Sequence, residues 1–234
     1  MARPRKGDTA RDTRAELIAA ARRLFLTTGY SGAFVNAVIA ATGLSKGTFY
    51  HHFGSAAGLL EAVVDEMVDE AWRLPKQALQ DQSVDALVRI NRFLHRVREG
   101  RMRLLPKAAH LARALYAREN SLLRERLRAK TVELVSPVLA DCLRQGAAAG
   151  LLRVERPEAA ARVFLLITTA ATDDMMAELS AAAGDRSTGE VFALLADRLR
   201  VVVTGLEAII GAAEGALEPP NEEVLRWIVV EFAS

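Results

Sequence analysis

Between Gly43 and Phe53 the chain reads Gly-Leu-Ser-Lys-Gly-Thr-Phe-Tyr-His-His-Phe. Ser45, Lys46, Thr48, Tyr50 and His51 crowd a cation, hydroxyls and an imidazole into this short stretch. Placed on a helix, Phe49 and Phe53 fall within about 40° of each other and form a buried edge. Gly47 and His51 then occupy the opposite face, with Thr48 and Tyr50 flanking it. Lys46 lies in the first turn, where free backbone amides and the helix dipole favour an anion. Such a face suits phosphates and base edges. Gly47 costs a helix about 1 kcal/mol relative to alanine, so its presence predicts a close backbone approach by something such as a DNA groove.

Other chemistries fit less well. Gly43-Leu44-Ser45-Lys46-Gly47 satisfies the G-x-S-x-G pattern that would make Ser45 a hydrolase nucleophile. That motif needs a strand before the turn, whereas Ile39-Ala40-Ala41-Thr42 reads as the end of a short amphipathic helix, so no enzyme is expected. His51 and His52 diverge by about 100° on a helix, and metal-binding pairs sit three or four apart, so no metal site is expected. No cofactor is implied. Cys142 is the single cysteine, which excludes an intrachain disulfide and agrees with a reducing compartment. Asp173 and Asp174 interrupt an apolar helix, either as a face turning to solvent or to meet a cationic ligand or a partner subunit. His95, His110, Tyr116 and Asp173 are the candidate polar groups for a mostly apolar ligand pocket.

The elements that must position these groups read as helices throughout. Thr13 and Glu16 have the spacing of a capping box, followed by an apolar face of Leu17, Ile18, Ala21, Leu24 and Phe25 up to Gly29. A second short helix is predicted from Val35 to Thr42, with Val35, Val38 and Ile39 inward and Gly43 as C-terminal cap. Ser45 caps the third, with Leu44 and Phe49 at hydrophobic-staple positions. A fourth runs from Ser55 with Leu59, Leu60, Val63, Val64, Met67, Val68, Ala71 and Trp72 at helical spacing, until Pro75 stops it. Further helices are predicted over 84–99, 104–118, 121–148, 157–179, 188–214 and 222–232, with a kink or break at Pro137. No run alternates with period two, so the fold is all-α.

The 234 residues, 51% hydrophobic and 26% charged, describe a folded globular chain. The longest apolar runs fall short of the roughly 18 residues a spanning helix needs, and no secretory signal is visible. A cytoplasmic protein without membrane association is expected. Charge divides after Phe53: residues 1–53 hold eight basic and three acidic side chains, a net of +5, and the remainder carries −3. That footprint points to a polyanion partner for the N-terminal part.

The run from Gly43 to Phe53 resembles the recognition-helix signature of the tetracycline-repressor-like (TetR/AcrR) transcriptional regulators. The likeness extends back through Thr13-Arg14, Ala19 to Phe25 and Gly29-Tyr30, and forward to Ser55, about the first quarter of the chain. It implies an N-terminal three-helix helix-turn-helix DNA-binding domain, residues 1–53, followed by a helical ligand-binding and dimerisation domain, residues 54–234. It implies a repressor that binds a pseudo-palindromic double-stranded operator as a homodimer and is released by a small-molecule effector. Carried over by position, Ser45, Lys46, Gly47, Thr48, Tyr50 and His51 lie at DNA, with Tyr50 and His51 at phosphates, Thr48 nearer the bases and Gly47 permitting the approach. An arm of Arg3, Arg5 and Lys6 is expected either to reach the minor groove or to remain a solubilising tail. Two positions depart from the family pattern. Phe34 stands where a Thr or Ser often caps the second helix, and Ala56 where a Lys often follows the Ser of the fourth. Both remove a phosphate contact. The helices at 157–179 and 188–214 correspond to the family's dimer-forming pair, although Phe164, Leu165, Leu194 and Val202 also suit an intramolecular core. The alternative is a helical interaction protein that keeps the fold without reading DNA.

Overall fold

A computed structural model describes residues 6–28, 33–99, 121–181 and 187–233. Every regular element among them is helical: α1 (Lys6–Thr28), α2 (Phe34–Thr42), α3 (Lys46–Phe53), α4 (Ala56–Gln80), α5 over residues 86–99, α6 (Ser121–Ala148), α7 (Pro157–Ala181), α8 (Thr188–Ile210) and α9 (Glu222–Ala233). The segment 104–118, with His110 and Tyr116, lies outside the described residues.

Helices α1 to α3 and the first half of α4 share one core. Leu17, Ile18, Ala21 and Phe25 from α1 meet Phe34 and Val38 from α2, Phe49 from α3 and Leu59, Leu60, Val63 and Val64 from α4. The second core joins Leu79 at the end of α4 to Ile90 and Phe93 of α5, Val135, Leu139 and Leu143 of α6, Phe164 and Leu165 of α7, and Leu206 and Ile210 of α8. Trp72 and Leu134 pack against both cores. A third, smaller cluster of Leu179, Val191, Leu195, Leu225 and Val229 seats α9 on α7 and α8. There the Arg226 guanidinium lies 4.1 Å from the centre of the Phe192 ring.

Several boundaries differ from the sequence expectation for identifiable reasons. Helix α1 begins at Lys6, so Thr13 and Glu16 sit inside it and form no capping box at its start. Between Lys6 and Thr13 no proline interrupts the chain, so nothing stops propagation backward. Pro75 does not stop α4, and Pro137 does not break α6. A proline leaves the carbonyl four residues earlier without its helical donor. Here those carbonyls belong to exposed Ala71 and Glu133, on faces where water can replace the lost bond. Ala71 accordingly leaves the expected apolar stripe. Helix α8 ends at Ile210 rather than at 214, because Gly211 adopts φ 61° and its amide bonds back into the last turn. Gly211 is also irreplaceable sterically: a Cβ there would lie 2.4 Å from the Arg153 carbonyl oxygen.

Candidate nucleic-acid interface

The α2–α3 unit is a helix-turn-helix whose turn is fixed by local chemistry. Gly43 takes the left-handed conformation, φ 67°, and its amide donates to the Ile39 carbonyl at 2.9 Å. Ser45 caps α3: its Oγ accepts from the Thr48 amide at 3.0 Å and lies 2.8 Å from Thr48 Oγ1. Phe49 is fully buried and anchors α3 in the first core. Its ring meets Tyr50 edge-on at 5.1 Å and Phe53 at 5.9 Å. Arg14 of α1 covers the Phe53 ring at 5.4 Å. At the exit, Ser55 caps α4 by accepting from the Gly58 amide at 3.1 Å.

With the aromatic edge buried, Ser45, Lys46, Gly47, Tyr50 and His51 are exposed together and Thr48 is half-buried beside them. Tyr50 stands 46% exposed. Gly47 has no internal reason to be glycine, since an added Cβ would meet only Ser45 Oγ, at an ordinary 3.6 Å. Arg3 and Arg5 lie outside the described residues. Lys6 is the first residue of α1 and not part of an extended arm.

Of the two departures from the family pattern, the one at the second helix takes a different form from the one expected, and Ala56 stands where expected, after the capping Ser55. Ala33, not Phe34, holds the cap position of α2, where no side chain supplies a cap bond. Phe34 is the first helical residue and is buried in the core. Ala56 is the first residue of α4.

Ser45 sits between two helices, with no strand among the described residues and its hydroxyl engaged with Thr48. His51 and His52 stand with ring centres 5.4 Å apart, and the described residues hold no cluster of three metal-ligating side chains. Of the pocket candidates, His95 is a surface residue of α5, 3.2 Å from Glu99 Oε1, rather than an enclosed polar group. Asp173 pairs with Arg128 of α6, and Asp174 with Arg198 of α8 at 2.7 Å. Both carboxylates of the interrupted helix therefore join neighbouring helices within the chain. Sequence reading missed the buried Arg89, which bonds the Leu79 carbonyl at the end of α4 and Gln145 Oε1 of α6 at 2.9 Å. It also missed the Ser187–Glu190 capping box of α8, although the S-x-x-E spacing was available.

Residues 17–63, which span α1 to the first turns of α4, match the model of the tetR family of bacterial regulatory proteins. Over this segment the chain is similar to the tetR family. Two relatives are the transcriptional repressor AcnR of Corynebacterium glutamicum and the regulator TtgR of Pseudomonas putida. AcnR is 42% identical over 60 residues, 26% of this chain and 32% of AcnR. TtgR is 28% identical over 93 residues, 40% of this chain and 44% of TtgR. The chain thus matches about a third of the length of its AcnR relatives, and these are regulators rather than enzymes. The tetR-family fold extends through the helical remainder. RolR in complex with resorcinol superposes with a TM-score of 0.57 at 18% identity, covering 96% of both chains. A tetR-family regulator of Pectobacterium atrosepticum superposes at 0.60 with 20% identity, covering 93% of this chain and all of the other.

Proposed function

We propose that this chain is a transcriptional regulator, acting as a repressor that grips double-stranded operator DNA with the exposed face of α3. The observation that carries this reading is the conjunction at α3. Lys46, Tyr50 and His51 are exposed on a helix pinned by buried Phe49, next to a glycine that nothing inside the chain requires. Residues 1–53 form the reading unit and 54–234 the effector and dimerisation unit, with α4 packed into both cores.

The regulator acts as a homodimer. Val163, Leu166 and Val201 stand 42%, 40% and 66% exposed on α7 and α8, an apolar surface suited to a second copy. Phe164 and Leu165, by contrast, belong to the intramolecular core. The twofold dimer presents its recognition helices about 34 Å apart, on successive major-groove faces of a pseudo-palindrome. A small hydrophobic or amphipathic effector favours a dimer whose reading heads no longer match that spacing, and α4 carries the change. The resorcinol held by RolR is in keeping with an effector of that size. No helix among the described residues is long and apolar enough to cross a membrane, in keeping with cytoplasmic action.

The test is selection of the full chain against a random duplex library at near-physiological salt. An inverted-repeat motif is expected, with binding lost in Lys46→Ala and Tyr50→Ala. Featureless, salt-sensitive retention that neither substitution alters would replace this reading with a helical interaction protein. A monomeric mass by light scattering at micromolar concentration would contradict the dimer.

A further inference from the structure

The stripe that α1 commits to the first core has a cation at its N-terminal end. Arg14 falls within about 40° of Ile18, Ala21 and Phe25 around α1, and those three are buried. Its guanidinium lies over the ring of Phe53, the last residue of α3, 5.4 Å from the ring centre, yet Arg14 itself is exposed. The ring gives the cation a fixed seat without neutralising it. Among the described residues no carboxylate pairs with Arg14, whereas Arg22, farther along α1, is held by Glu70 at 2.6 Å. A guanidinium stacked on a ring keeps its in-plane N–H donors, and that fork matches a phosphate bidentately. The position is right for a phosphate and not for a base. A recognition helix meets base edges with its N-terminal residues, so the Phe53 end of α3, about 10 Å from Lys46, lies toward the sugar-phosphate backbone.

We propose that Arg14 is a further DNA-binding residue, which grips one backbone phosphate in each operator half-site from α1, with Phe53 as the platform that holds its guanidinium. The inference rests on the DNA-reading function proposed above. It divides the work between two helices: the exposed face of α3 reads, and α1 supplies a cation that the chain itself leaves unpaired.

The probe is the operator duplex recovered from the random library, with each phosphate replaced singly by an uncharged methylphosphonate, titrated with the full chain and with Arg14→Met, Arg14→Gln and Arg22→Met. Arg14→Met keeps an unbranched apolar chain over Phe53 and removes the charge, and Arg14→Gln removes the charge but keeps a donor, so a folding defect in one variant leaves the other to decide. With the unsubstituted protein, one phosphate per half-site answering to Arg14 is expected to lose about tenfold in affinity on neutralisation. With Arg14→Met and Arg14→Gln the same replacement is expected to make no difference. On the unmodified operator both variants are expected to lower the slope of log K against log salt by about 0.9 for each reading head, while selecting the same base motif. Arg22→Met is expected to leave the pattern of sensitive phosphates as it is. The proposal is overturned if the Arg14 variants keep every sensitive phosphate, if their salt slope is unchanged, or if Arg22→Met removes the same phosphate from the pattern. A library that yields no motif would instead defeat the DNA-reading function, and this proposal with it.

Discussion

Trp72 of α4 donates its indole Nε1–H to Thr131 Oγ1 of α6 at 3.1 Å, at the place where the reading unit's core meets the C-terminal core. The ring stacks on Phe93 of α5 at 5.9 Å. Ion pairs continue the seam toward the reading unit, Glu61 with Arg126 at 3.0 Å and Asp65 with Lys130 at 3.3 Å. On its other side α6 holds α7 through Arg128 and Asp173. Helix α6 therefore lies between the helix that carries the reading head and a helix of the proposed dimer surface.

Replacing Thr131 with valine keeps the shape of the side chain and removes the acceptor from a half-buried indole. A loss of about 1 kcal/mol in unfolding free energy is expected, read by urea titration. Glu61→Gln, at an exposed ion pair, should change the same quantity by well under about 1 kcal/mol. Equal losses in the two variants would show that the indole bond is no more than a surface contact.

Two glycines should respond in opposite senses to alanine. Gly47→Ala meets no obstacle in the chain and improves helix propensity, so the protein should gain up to about 1 kcal/mol in stability while operator affinity falls on the order of tenfold. Gly58→Ala would set a Cβ 2.3 Å from the Phe53 carbonyl oxygen, a backbone atom that cannot move cheaply. It should destabilise the protein by about 1–3 kcal/mol. Thermal melts with operator titrations separate the two, and a destabilised Gly47→Ala would remove the argument for DNA approach.

Ala56 begins α4 beside the capping Ser55, where family members often carry lysine. Ala56→Lys should add one phosphate contact and steepen the slope of log K against log salt by about 0.9. Titrations at several salt concentrations give the slope, and an unchanged value would mean that the start of α4 does not approach DNA.

Burial pushes the Cys142 thiol up to about 11, and its side chain is 1% exposed. The thiolate is the reactive form, so Ellman's reagent should leave the native protein unmodified at pH 7.5 and label one thiol after unfolding in urea. Rapid native labelling would indicate that the second core opens.

What the residue order determined by itself is local. The periodicity of Leu17 to Phe25, the glycine that closes α2, the serine that caps α3 and the burial of Phe49 each depend on neighbours within a few positions, and all were legible. The exposed face of α3 followed from that periodicity alone. The tertiary structure decided what depends on distant partners or on solvent. Pro75 and Pro137 are tolerated because the carbonyls they leave without a donor belong to residues on exposed faces. Phe34 became a core residue because α1 packs against α2 and brings Phe34 into the first core. Asp173 and Asp174, equally open to solvent, ligand or partner in the sequence, were claimed by Arg128 and Arg198 from other helices. Only the packing of helices far apart in the chain could bring those charges together, and no local pattern records it.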